Sequence, residues 1–269
     1  MHGLGNDFIV LDCFRQKFHL NSDQIKLLGD RHFGIGFDQM LVLEPPQSGQ
    51  ADVRYRIYNN DGGEVSQCGN GARCIAVYLY EKGIVRKNEI NAETLDGLLK
   101  LYRQEDGQIR VNMGIPGLEP SEIPIRVDQR APLYKLFLNN NEIKFSAVSI
   151  GNPHAVIEVQ NILSAPVREL GPKMQENTMF PDSVNAGFMQ IVDRDHIHLR
   201  VFERGAGETL ACGSGACAAV VTGILASKLN NEVDVALPGG HLLVSWQGEG
   251  EPVWLTGPAA FVFEGRITL

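Results

Sequence analysis

The sequence predicts an α+β protein of two pseudo-symmetric domains, each an antiparallel sheet or barrel wrapped around one central buried helix. Three observations carry this: an internal duplication, a Cys-Gly-x-Gly text ahead of an apolar helix in each copy, and alternating strand-like segments around it. The segment RIYNNDGGEVSQCGNGA, Arg56 to Ala72, lies on RVFERGAGETLACGSGA, Arg200 to Ala216, after a shift of 144 positions. Arg56 then meets Arg200, Gly63 meets Gly207, Glu64 meets Glu208, and Cys68-Gly69 meets Cys212-Gly213. Upstream, Gly5, Asn6 and Val10 match Gly151, Asn152 and Val156 at a shift of 146. Downstream, Asn88-Glu89-Ile90, Gly97, Gly107 and Gly114 match Asn231-Glu232-Val233, Gly240, Gly250 and Gly257 at 143. Small changes of offset are what drifting copies accumulate in loops. Two glycine-rich stretches agreeing by accident would not keep their order from Gly5 to Gly114.

VRYRIYN (Val53 to Asn59) and HIHLRVFE (His196 to Glu203) alternate apolar and polar residues, the period of a strand. Asn59 and Glu203 fall in the phase of the apolar face at the strand's end. A polar group so placed is buried with partners or turned into a cleft, and its occurrence in both copies favours the cleft. After each cysteine comes a helix, expected over Ala72 to Lys82 with Gly83 as its C′ residue, and over Ala216 to Lys228. IAVYLY and ACAAVV are apolar nearly all round, which predicts buried helices. The linker falls near Met113 to Pro124, where three prolines break regular structure. The expected domains are residues 1–114, joined by a last strand from 258–269, and residues 115–257.

Composition narrows the function. Apolar residues are 43% and charged residues 21%, ordinary for a globular protein. A formal charge of -8 with no basic run argues against nucleic acid, whose binding rests on cations neutralising phosphates. The first residues lack a basic stretch followed by an apolar one, and no apolar run is long enough to span a bilayer. A cytoplasmic protein without membrane attachment is the expectation. The five cysteines include no CxxC pair and no zinc-like spacing, so reduced thiols are expected.

The chemistry points to Cys68 and Cys212. Each precedes a glycine-rich turn into a helix, whose first N–H groups lack intrahelical partners and carry partial positive charge. Gly69, Asn70, Gly213 and Ser214 can present N–H donors to a carboxylate, and the same field lowers a thiol pKa. That field contributes about 0.3 to 2 kcal/mol, too little to set both thiols unaided. Mirrored halves would bring the two cysteines to opposite faces of one carbon, an arrangement suited to inverting it. Cys13, Cys74 and Cys217 have no counterpart in the other copy and read as small buried hydrophobes. His196 and His198 lie with Arg200 on the polar face of their strand, so the HxH pair reads as solvated. The Asp193 to Asp195 stretch reads as a polar turn.

With these residues in view the chain resembles the diaminopimelate epimerases over nearly its whole length. MHGLGNDF, GFDQ, NNDGGEVSQCGNGARC, GNPHAV and ERGAGETLACGSGACA carry the likeness, the two cysteine texts together being highly specific. The resemblance implies cofactor-independent interconversion of LL- and meso-diaminopimelate, on the route to lysine and cell-wall peptide, by a homodimer. It implies that Cys68 and Cys212 are the two acid/base residues. It implies substrate contacts for Asn6, Gln39, Asn59, Gly69, Asn70, Asn152, Asn185, Glu203, Arg204, Gly213 and Ser214. His154 and Glu203 match residues that adjust the cysteine pKa values. No metal is implied.

Two features depart from the family. Its members usually carry a short strand ahead of MHGLGNDF, whose lack would leave a sheet edge open. Phe263 stands where the family commonly has a tyrosine at the dimer contact. The alternatives are a proline-racemase-type or phenazine-type isomerase on the same fold, a noncatalytic amino-acid binder, and a thiol redox enzyme. The last lacks the CxxC it would use.

Overall fold

A computed structural model describes residues 1–268 apart from 15, 18, 66, 67, 139 and 140. The chain forms two compact units, Met1–Val111 with Gly257–Leu269, and Asn112–Thr256. In chain order the first carries β1 (His2–Gly3), β2 (Asn6–Asp12), α1 (Ser22–Gly29), β3 (Gln39–Glu44), β4 (Val53–Asn59), β5 (Glu64–Val65), α2 (Gly69–Glu81), β6 (Glu89–Thr94), β7 (Gly97–Arg103) and β8 (Ile109–Asn112). The second carries β9 (Tyr134–Leu138), β10 (Asn141–Ser149), β11 (Pro153–Glu158), α3 (Val167–Gln175), β12 (Asn185–Ile191), β13 (His196–Glu203), β14 (Gly207–Thr209), α4 (Gly213–Leu225), β15 (Glu232–Leu237), β16 (Gly240–Ser245) and β17 (Trp254–Gly257). No helix among the described residues is long and apolar enough to cross a membrane.

The duplication seen in sequence is repeated in strand pairing. In the first unit β2 pairs with β3, β3 with β4, β4 with β5 and β6, and β6 with β7. In the second β11, β12, β13, β14, β15 and β16 pair in the same succession. Registers agree as well: Phe8 faces Gln39, and His154 faces Asn185. The sheets are mixed rather than wholly antiparallel. β2 and β3 run parallel, as do β4 and β6, β11 and β12, and β13 and β15. The reason is connectivity. Each parallel pair is joined by a crossover carrying a helix, and a crossover of that length returns the chain in its starting direction.

The two central helices occupy the β4–β6 and β13–β15 crossovers. In α2, Ala72, Cys74, Ile75, Ala76 and Leu79 are fully buried; in α4, Ala216 to Val221 are. Burial of each aliphatic side chain contributes about 1.5 to 3 kcal/mol, so an all-round apolar helix is held by the strands about it. Both helices begin three residues earlier than the sequence reading places them, because the cysteines themselves are the N-caps. Both end in a Schellman turn. Gly83 N–H donates to Tyr80 O and Ile84 N–H to Leu79 O; Ser227 N–H donates to Ile224 O and Lys228 N–H to Gly223 O. Gly83 takes φ +66° at no cost, whereas Ser227 holds φ +59° with a side chain. Ser227→Gly is therefore expected to raise stability by roughly 0.5 to 1 kcal/mol, measured by urea unfolding.

The Met113 to Pro124 segment is irregular, as its prolines predict, yet Ile123 and Ile125 are buried in the second unit's core. The expected last strand is not formed among residues 261–268. A single bridge joins His2 to Ala260, and the residues beyond it are largely exposed, Phe263 at 69%. β1 has two residues and cannot template more. Cys74 and Cys217 are buried as expected, but Cys13 is only half-buried.

Candidate active site

Each unit builds one half-site at the start of its central helix. In the first, Cys68 has extended φ/ψ of −152° and 107°, and its sulfur accepts the Gly71 N–H at 3.4 Å. In the second, Cys212 has −116° and 108°, and its sulfur accepts the Gly215 N–H at 3.4 Å. The sulfur thus takes the donor at N3, where a capping serine or threonine oxygen would sit. Gly69 and Asn70, and Gly213 and Ser214, fill N1 and N2, where N–H groups point along the helix axis toward a ligand. Glycine at N3 is a steric need. A Cβ on Gly215 would lie 2.9 Å from Val201 and 3.1 Å from the Cys212 sulfur.

The strand before each cysteine is pinned by the same ion pair. Arg56 Nε donates to Glu64 Oε1 at 2.7 Å across β4 and β5, and Arg200 Nε to Glu208 Oε1 at 2.7 Å across β13 and β14. These are the arginines and glutamates that match in the repeat. The sequence reading gave them no role.

Around Cys68 stand amides. Cys68 Sγ lies 4.0 Å from Asn6 Oδ1, which also accepts from Asn70 Nδ2 at 3.1 Å. Asn6 Nδ2 donates to Asp38 at 2.9 Å, and Gln39 Nε2 donates to Asn59 Oδ1 at 2.9 Å. Asn6, Gln39, Asn59 and Gly69 are half-buried, Asn70 buried. Two residues escaped the sequence reading. Asp38 belongs to the GFDQ text and Arg73 to GNGARC. Arg73 is an arginine on a helix apolar nearly all round, a signal available in sequence, and its side chain is fully buried.

Around Cys212 stands a carboxylate. Cys212 is 3% exposed, and burial pushes its thiol well up; Glu203, hydrogen-bonded to it, pushes further, against Ser214 and the Gly215 N–H. Thr209 Oγ1 donates to the same Glu203. Glu203 therefore has a partner and does not simply face solvent. Glu203→Gln removes the charge but not the burial. It is expected to lower the Cys212 pKa and speed alkylation of Cys212 by iodoacetamide several-fold at fixed pH, read on the Cys212 peptide by mass spectrometry.

Asn185 bridges the remaining residues: its Nδ2 donates to Pro153 O at 3.2 Å, and its Oδ1 accepts the Arg204 N–H at 2.9 Å. The Arg204 side chain is exposed, with Nη1 on Asp182 O at 2.8 Å. His154 is buried, with Nε2 2.9 Å from Asn152 Oδ1, and burial followed by Arg204 lowers its pKa to about 3. It is neutral near pH 7, so Glu203 is the charge acting on Cys212. Protonation of His154 is favoured in the unfolded chain, whose histidine titrates near 6.5. Stability is thus expected to fall as pH drops below about 6.5, by up to about 1.4 kcal/mol per pH unit until about 3. His154→Gln should flatten that limb in urea melts taken across the range. His196 and His198 are exposed, His196 Nδ1 lying 2.8 Å from Asp193 Oδ1, as a solvated strand face requires.

The fold has counterparts of known structure. A phenazine biosynthesis protein of the PhzF family from Bacillus anthracis superposes with TM-score 0.68 at 19% identity, covering 100% of this chain and 95% of its own. A probable proline racemase from Agrobacterium radiobacter gives 0.71 at 16% identity, covering 100% and 91%. This is the duplicated α+β fold shared by epimerase-like and racemase-like proteins. The diaminopimelate epimerase family profile matches residues 1–118 and 146–262. The diaminopimelate epimerase of Nitrosomonas europaea is 56% identical over 270 residues, covering 100% of this chain and 98% of its own length. That of Ectopseudomonas mendocina is 51% identical over 269 residues, with the same coverage. The chain belongs to the diaminopimelate epimerase family of isomerases.

Proposed function

We infer that the chain interconverts LL- and meso-diaminopimelate, in the biosynthesis of lysine and of cell-wall precursors, with Cys68 and Cys212 as its two acid/base groups. The observation that supports the role of the cysteines is their repetition as N-caps, each sulfur on the third N–H of its own central helix. Inversion of an α-carbon needs a base on one face and an acid on the other. One thiolate removes the α-proton while the other thiol delivers a proton, and the roles exchange with direction. Burial and Glu203 keep Cys212 protonated in the absence of substrate, the form that delivers. The substrate carboxylate gains negative charge as the proton leaves. N–H groups of Gly69, Asn70, Gly213 and Ser214 then bind it more strongly at the transition state than before.

The distal amino-acid end of the substrate needs a cation for its carboxylate and acceptors for its ammonium. The exposed Arg204 guanidinium suits the first. Glu203 and the amide oxygens of Asn6, Asn59, Asn152 and Asn185 suit the second, with Gln39 holding Asn59 in place. No cofactor enters this scheme. The enzyme is proposed to work in the cytoplasm, where thiols stay reduced. A homodimer is also proposed, for which the exposed Val262, Phe263 and Ile267 supply apolar surface.

Incubation of reduced protein with LL-diaminopimelate in D₂O tests the reading. Meso product carrying deuterium at the inverted α-carbon is expected. Binding without exchange would leave a noncatalytic binder, and exchange with proline in its place would move the activity to a racemase.

A further inference from the structure

A run of hydrogen bonds passes beside Cys68 with opposite charges at its ends. Arg73 Nη2 donates to Asn70 Oδ1 at 2.9 Å, Asn70 Nδ2 to Asn6 Oδ1 at 3.1 Å, and Asn6 Nδ2 to Asp38 Oδ2 at 2.9 Å. A guanidinium only donates and a carboxylate only accepts, so the run has one possible direction. Turning the Asn6 amide would set its oxygen against the Asp38 carboxylate and its NH₂ against that of Asn70. Both ends are anchored. Arg73 also donates to Pro258 O at 3.1 Å and to Gly69 O at 3.4 Å. Asp38 accepts from Arg31 Nη2 at 2.8 Å, and its N–H donates to Asp7 Oδ1 at 2.9 Å.

We propose that Arg73 and Asp38 are positioning residues that lock the Asn6 amide with its oxygen toward the sulfur of Cys68. An oxygen there accepts the S–H and disfavours the thiolate; an NH₂ there would do the reverse. Burial pushes Tyr55 up and raises Cys74 to about 12, so neither of these two adds a negative charge beside Cys68. The device belongs to the first half alone. At the matching positions of the second half stand Cys217 and Ser214, and Glu203 supplies the control there. The two thiols are thus set by different chemistry within one repeated frame.

The inference rests on the acid/base role of Cys68, yet its test needs no turnover. Wild type, Asp38→Asn and Arg73→Gln are reacted with iodoacetamide without substrate, and the Cys68 and Cys212 peptides are quantified. Each variant gives one end of the run both donor and acceptor capacity, which frees the amide to turn. The Cys68-to-Cys212 labelling ratio is expected to rise several-fold, with kcat falling. Arg73 is fully buried, so should Arg73→Gln not fold, Asp38→Asn carries the test, its side chain being 44% exposed. An unchanged ratio, a slower Cys68, or both thiols quickening together would overturn the proposal. Absence of deuterium exchange in wild type would instead remove the epimerase reading and leave the labelling result standing.

Discussion

Cys68→Ala and Cys212→Ala are each expected to lower kcat for epimerisation by about 10² to 10⁴-fold, the usual contribution of one acid/base group. Neither change should unfold the protein. Cys68 is half-buried, and removing the Cys212 sulfur vacates little volume at the start of a helix buried along its length. The far-ultraviolet spectrum should stay near wild type, with loss of the capping sulfur costing no more than about 0.5 to 2 kcal/mol. A finer signature separates a two-base scheme from general damage. With one thiol gone, the other still meets the proton on its own side, so exchange of solvent deuterium into unconverted substrate should outlast net inversion. Near-wild-type turnover by either variant would defeat the scheme.

Gly71→Ala is expected to lower both stability and kcat while leaving both sulfurs in place. A Cβ on Gly71 would stand 2.5 Å from the Tyr55 hydroxyl and 3.1 Å from Leu41. Tyr55 is buried, with its hydroxyl 3.4 Å from Cys68 O, so it has no room to swing away. The helix start must move instead, taking the N–H that caps the Cys68 sulfur with it. Overpacking of this kind costs about 1 to 3 kcal/mol, and displacement of the cap should reduce kcat as well. Tyr55→Phe removes the atom in conflict. The double variant Gly71→Ala, Tyr55→Phe should therefore recover part of both losses, since the remaining contact with Leu41, at 3.1 Å, is the looser one. Additive losses in the double variant would show that the hydroxyl is not the obstacle. Urea melts and steady-state kinetics on the four proteins complete the cycle.

Much of this arrangement was legible in the sequence. The strands Val53–Asn59 and His196–Glu203 have the limits their alternation gives, because a period of two persists until the chain turns. The central helices were evident from their apolar runs, with Gly83 marking the end of the first, but their starts were not, and the second ends at Leu225 rather than at Lys228. A Cys-Gly-x-Gly text reads as a turn, and only the sulfur's acceptance of an N–H shows it to be a helix's first residues. Strand direction was missed for a related reason: alternation reports which face is buried, not which way the neighbour runs. Asp38 and Arg73 went unassigned because their meaning lies in partners distant in sequence, Asn6 for one and Pro258 for the other. Glu203 was placed by its phase in the strand, and its bond to Cys212 could not be read there.

The Arg73–Pro258 hydrogen bond spans 185 positions of the chain, and Arg73 lies in the unit built from both ends of the sequence. On the ribosome the chain emerges from its amino end at about 5 to 20 residues per second. The guanidinium that orders the first cysteine's surroundings therefore waits for an acceptor made 185 residues later. The continuous unit can acquire its core while the discontinuous one is still short of a tether. Assembly of the Cys68 side accordingly depends on residues that follow the whole of the second unit, and pulse-labelled hydrogen exchange during refolding should show α2 protected later than α4.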